Sequence, residues 1–146
     1  MVQTAKSNKG FTLIETLIAM FLFSLILIFM LQGFLLAYRI NYEKLLKDEA
    51  IKIAQEELER LRNLGYSNIS PTCGNVCNNF NPTTAPSSCK ISRQVRNKNV
   101  SFGREIRVVE NEPYKTVTII VCSQHKDFQK RPISYSLTTV ISDKGF

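Results

Sequence analysis

The chain has 146 residues, with 19 Lys or Arg against 12 Asp or Glu, four cysteines and a single histidine. That length holds one small domain, and between Phe11 and Tyr38 the only charged residue is Glu15, which excludes a chain that is soluble core throughout. Catalysis is poorly supplied as well: His125-Lys126-Asp127 reads as an exposed turn, Ser123 has no orienting third group, and there is no phosphate-binding loop or metal cluster. No catalytic residue, metal or cofactor is expected.

Residues 1–10, MVQTAKSNKG, form a short polar tail carrying Lys6 and Lys9. The apolar run that follows far exceeds the roughly 7–15 residues of a secretory signal core, and its end, Leu35-Leu36-Ala37, lacks a small-x-small cleavage site. It suits a bilayer span of about 20 residues. Lys6 and Lys9 should hold the tail in the cytoplasm, leaving everything after Tyr38 outside. Glu15 is then the anomaly, because a carboxylate within a span is costly and calls for a partner. One partner is local: Thr12-x-x-Glu15 has the spacing of a capping box, in which the glutamate reaches back to free N–H groups of the first helical turn.

Lys9-Gly10-Phe11-Thr12-Leu13-Ile14-Glu15, followed by about twenty apolar residues, resembles the class III signal of type IV prepilins and type II secretion pseudopilins. The resemblance implies a prepilin peptidase that cuts after Gly10 on the cytoplasmic face and methylates the new amine of Phe11. It also implies that Glu15 pairs with the N-terminal amine of a neighbouring subunit, so that two charges unfavourable in lipid neutralise each other. Many major pilins carry proline at the twenty-second mature position. Here that position is Gln32, followed by Gly33, a pair that weakens a helix far less. The departure favours a minor subunit.

From Arg39 the sequence turns amphipathic, with Leu46, Ala50, Ala54, Leu58, Leu61 and Leu64 recurring every three or four residues. Glu43 with Lys47, Asp48 with Lys52 and Glu56 with Arg60 stand at the favourable i,i+4 spacing. The helix is predicted to run from Phe11 to about Leu64 and to end at Gly65. Within it, the stretch Ala54 to Arg62 resembles, more loosely, minor pilins of the PilV kind and the I-type minor pseudopilin.

Residues 65–146 form the head. Its first part is rich in Ser, Asn, Thr, Pro and Cys and reads as loop. Four strands are predicted next, Lys90 to Arg96, Phe102 to Glu110, Tyr114 to Cys122 and Ile133 to Ile141, with turns at Asn97-Lys98-Asn99 and Asn111-Glu112-Pro113. Ile91, Val95, Ile106, Val108, Val117, Ile119, Val121, Tyr135 and Leu137 should face the helix, and Lys90, Gln94, Arg96, Arg107 and Thr118 should face outward. The fold class expected is α+β, a long helix against a small antiparallel sheet, which is also the pilin fold that the resemblance implies. Cys73, Cys77, Cys89 and Cys122 all lie on the outer side of the span. They should form two disulfides, with all three pairings open.

The helix has six Lys or Arg against seven acids, whereas the head has eleven against five. Lys90, Arg93, Arg96, Lys98, Arg104 and Arg107 follow one another with only Glu105 among them, a candidate surface for DNA phosphate, acidic polysaccharide or an acidic pilin face, though solvated strand faces are the simpler and favoured reading. The expected protein is a minor pilin, with prepilin peptidase, other pilins, the inner-membrane assembly platform and lipid as partners. It would sit in the inner membrane with a periplasmic or extracellular head until it enters a filament. A type II secretion pseudopilin and an uncleaved single-span receptor or adhesin are the alternatives.

Overall fold

The computed structural model describes residues 12–127 and 131–143. The chain divides into two compact units, the first ending at Arg39 and the second beginning at Ile40. One helix, α1, Leu13–Leu64, contributes to both. In the first unit every described residue is exposed, among them Leu13, Phe21, Phe29 and Phe34, and the exposure continues to Asn41. Among the described residues nothing covers this stretch, which is long and apolar enough to cross a membrane.

In the second unit α1 buries Leu46, Ala50, Ile53, Ala54, Glu57 and Leu61, steps of three and four residues that lie on one face. The predicted stripe therefore needs correction. Ile53 and Glu57 belong to it, Leu58 is only half-buried, and Leu64 is exposed. The ion pairs along the helix also differ from those expected: Lys52 meets Glu49 at 3.2 Å, Arg62 meets Glu59 at 2.9 Å, and Arg60 meets Glu57, all at i,i+3. Gly65 follows the helix with φ of +78°, a conformation glycine adopts without the clash a Cβ brings.

Residues 66–89 contain three single-turn 3-10 segments, Tyr66–Asn68, Val76–Asn78 and Ser87–Cys89. Four strands follow: β1, Lys90–Val95; β2, Lys98–Asn111; β3, Tyr114–Lys126; and β4, Pro132–Ser142. They form one antiparallel sheet in the order β1-β2-β3-β4. The β1–β2 connection is tighter than Asn97-Lys98-Asn99 suggested, because Val95 already pairs with Lys98 and only Arg96 and Asn97 turn. β2 thus starts four residues before Phe102 and gains Asn111, which pairs with Tyr114 across Glu112-Pro113; β3 starts at Tyr114 as expected and runs on past Cys122 to Lys126.

Alternation along the strands separates two faces. Val100, Phe102, Ile106, Val117, Ile119, Val121, Ile133 and Ile141 join the helix stripe in one core, with Ile91, Val108, Tyr135 and Leu137 packed at its margin. This is the α+β arrangement expected, a long N-terminal helix packed through its second half on an antiparallel sheet. The other face receives the loop. A Cβ on Gly103 would lie 2.6 Å from Phe80 and 2.8 Å from the Sγ of Cys122, so the loop ring sits directly on bare backbone there. Two disulfides hold it, Cys73–Cys89 across the loop and Cys77–Cys122 from the loop to β3.

Candidate functional site

Helix α1 begins where Thr12 and Glu15 meet. The Thr12 N–H and the Thr12 hydroxyl each donate to Glu15 Oε2 at 2.9 Å, while the Glu15 N–H donates to Thr12 Oγ1 at 3.4 Å. The Thr12 carbonyl accepts the first helical bond from the Thr16 N–H at 3.3 Å. This is the reciprocal capping box that the T-x-x-E spacing predicts. It leaves the site half used: among the described residues no group donates to Oε1, and the side chain is exposed. Of the two carboxylate oxygens, Oε2 is thus satisfied by Thr12 and Oε1 is exposed. Gly10 and Phe11, the expected cleavage and methylation positions, lie outside the described residues.

The six basic residues of the head do not gather on one surface. Arg93 is on the helix face of β1 and pairs with Glu56; Arg104 NH1 lies 2.6 Å from Glu57 Oε2 and its NH2 donates to the Ser88 carbonyl at 2.7 Å. Lys90 and Arg107 are turned to the loop side, Lys90 donating to the Pro82 carbonyl at 3.0 Å and Arg107 Nε meeting Glu105 Oε1 at 2.5 Å. Arg96 and Lys98 stand at the β1–β2 turn, exposed. Four of the six therefore serve carboxylates or carbonyls of their own chain, two of them on the helix, and the charge run in the sequence is largely a run of internal ties.

Glu57 is the centre of that arrangement and was missed in the sequence. It is 4% exposed and accepts from Arg104 and Arg60 together, with the Arg60 Nε at 2.9 Å. The hydrogen bond from Arg60 to this carboxylate holds the guanidinium pKa above its ordinary value. A sequence signal did exist: Glu57 stands four residues after Ile53 and four before Leu61, inside the apolar stripe. Glu105, fully buried, is the second internal acceptor, taking Arg107 and the Cys77 N–H at 3.3 Å.

Ser123 and His125 are likewise structural in their surroundings. The Ser123 hydroxyl accepts the His125 backbone N–H at 3.2 Å and is 3% exposed, while the His125 ring packs edge-on against Tyr42 of α1 with centroids 5.8 Å apart. Asp127, the third member of the tripeptide, instead meets Arg131 at 3.1 Å. Among the described residues no three His, Cys, Asp or Glu side chains converge as metal ligands.

Residues 5–31 match the family model of the prokaryotic N-terminal methylation motif. No curated protein and no solved structure is detectably similar to the chain. The matched segment covers the box formed by Thr12 and Glu15 and the first turns of the exposed apolar helix, and together these describe a single-pass, membrane-anchored protein. Its N-terminal segment is the class III signal of type IV pilins and pseudopilins.

Proposed function

We propose that the chain is a minor pilin, cut after Gly10 by a prepilin peptidase, methylated at Phe11, and built into a type IV pilus or used to start one at the inner-membrane platform. The observation that carries this reading is the methylation motif, set on a helix whose apolar half is exposed among the described residues. Cutting there removes the polar leader and keeps the anchor. The new Phe11 amine would be a cation placed just before the carboxylate that assembly uses. Glu15 has two successive roles in this scheme. In the lone subunit the Thr12 donors shelter it at Oε2; in the filament Oε1 accepts the methylated amine of a neighbour, and the pair neutralises as both enter an apolar bundle.

The head's role is structural, not enzymatic: it presents a rigid unit fixed by two disulfides and a buried ion-pair cluster. The internal use of Arg93, Arg104, Arg107 and Lys90 favours this over a receptor that holds DNA on those residues. A type II secretion pseudopilin shares the signal and the helix, and is the second reading. The test is the mass of the mature N-terminus in native membranes. N-methyl-Phe11 is expected, and Gly10→Leu should leave the precursor uncut; an intact Met1–Gly10 on the wild-type protein would remove the reading.

A further inference from the structure

The two edges of the sheet are built differently. β1 is six residues long and carries Lys90 and Arg93. β4 spans eleven residues, PISYSLTTVIS, with no charge and no proline after its first position, and no strand pairs with its outer side among the described residues. Edge strands normally resist pairing through brevity, charge, proline or bulges. β1 uses the first two. β4 has Pro132 and, opposite Pro132–Ser134, the register irregularity between Cys122 and Lys126; from Ser134 to Ser142 it has none of these devices. Beside this edge, on the face away from the helix, stand exposed apolar side chains: Val109 and Val140 flank Thr116 in one row, at 57% and 54% exposure, with Tyr114 next to them at 50%.

We propose that β4 is a docking edge for the outer strand of a neighbouring membrane-anchored subunit with an acidic head, added antiparallel. The proposal rests on the reading of the chain as an assembly subunit. Strand direction selects the mode. In the order β1-β2-β3-β4, with every neighbour antiparallel, β1 runs opposite to β4. A neighbour of the same fold, standing in the same orientation, therefore offers its first strand antiparallel to β4 and keeps its helix on the same side of the joined sheet. Two β4 edges, by contrast, pair antiparallel only through a two-fold axis normal to the sheet. That rotation reverses the helix segment 40–64, which two chains entering from one membrane cannot do. The remaining contact is heterologous and extends the assembly instead of closing it.

Charge selects the partner. The head holds eleven Lys or Arg against five acids, so a second copy laid alongside is repelled and an acidic head is attracted. Main-chain hydrogen bonds along β4 supply the affinity, and Val140 on the edge strand, with Tyr114 one strand in, supplies the side-chain contact that gives preference.

The experiment places a photo-reactive residue at Ser136, exposed on β4, in the full-length chain in its own cells, and identifies the adducts by mass spectrometry. The expected adduct is a chain that itself begins with the methylation motif, has a net acidic head, and is joined through an edge strand. Ser134→Lys with Thr138→Lys should lower its yield by about tenfold or more, since charges on an edge oppose pairing. Val140→Lys alone should act in the same direction, and intact disulfides and an unchanged melting temperature show that each variant folds. A correctly cut chain whose adducts are only a second copy, or proteins without the motif, or none, overturns the proposal and leaves the pilin reading standing. A chain still carrying Met1–Gly10 overturns both.

Discussion

Glu15 and Glu57 lie on one helix, forty-two positions apart, and they live in opposite worlds. Glu57 is buried and held by two arginines of its own chain, Arg104 from β2 and Arg60 from the next helical turn. Glu15 is exposed, held among the described residues by Thr12, and set in a stretch of exposed side chains. The same contrast divides the two units. Residues of the second unit are explained by what they contact within the chain; the apolar residues before Asn41 are exposed, on a helix long and apolar enough to cross a membrane. Glu57 is tied into the packing of helix on sheet, whereas Glu15 is tied only to the first turn of its own helix among the described residues.

Substitutions in the head should therefore act on stability, and the largest effect belongs to the disulfide that ties loop to sheet. Cys77→Ser with Cys122→Ser should cost about 2–5 kcal/mol, read as a lowered melting temperature of the full chain in detergent. Next comes Glu57→Gln, which keeps the shape but strands Arg104 at the helix–sheet junction. It should cost about 3 kcal/mol, while Glu57→Leu with Arg104→Leu should recover most of that loss, because replacing a whole buried pair is far cheaper than breaking it. If Glu57→Gln leaves melting unchanged, the cluster is not the tie described. Gly103→Ala pushes a methyl into Phe80 and Cys122, and a loss of about 2 kcal/mol is expected in the same assay. Smallest is Arg96→Gly at the β1–β2 turn: with φ at 52°, relief of the left-handed strain should raise stability by about 0.5 kcal/mol. None of the four should change cleavage after Gly10.

The local patterns were legible in advance. All four strands were recognised, within a few residues of their ends, because period-two alternation between turn residues is written in consecutive positions. The Thr12–Glu15 box was readable for the same reason, since both partners sit three residues apart. The partners of Arg93 and Arg104 were not. Their carboxylates lie 37 and 47 residues away on the helix, and only the packing of helix on sheet brings them together. A run of cations in the sequence thus looked like a binding surface. The disulfide pairing was undetermined by spacing, and Gly103 read as one more strand residue until Phe80 was placed over it.

The most direct test of the contrast is Glu15→Gln in the full-length chain, scored for the fraction of methylated protein found in sheared filaments beside the melting temperature of the head. A glutamine can still accept the Thr12 hydrogen bonds, so the capping box survives while the charge is lost. Normal cleavage, unchanged melting and loss of incorporation are expected. Wild-type incorporation by the Gln variant would contradict this and reduce Glu15 to the cap of its own helix.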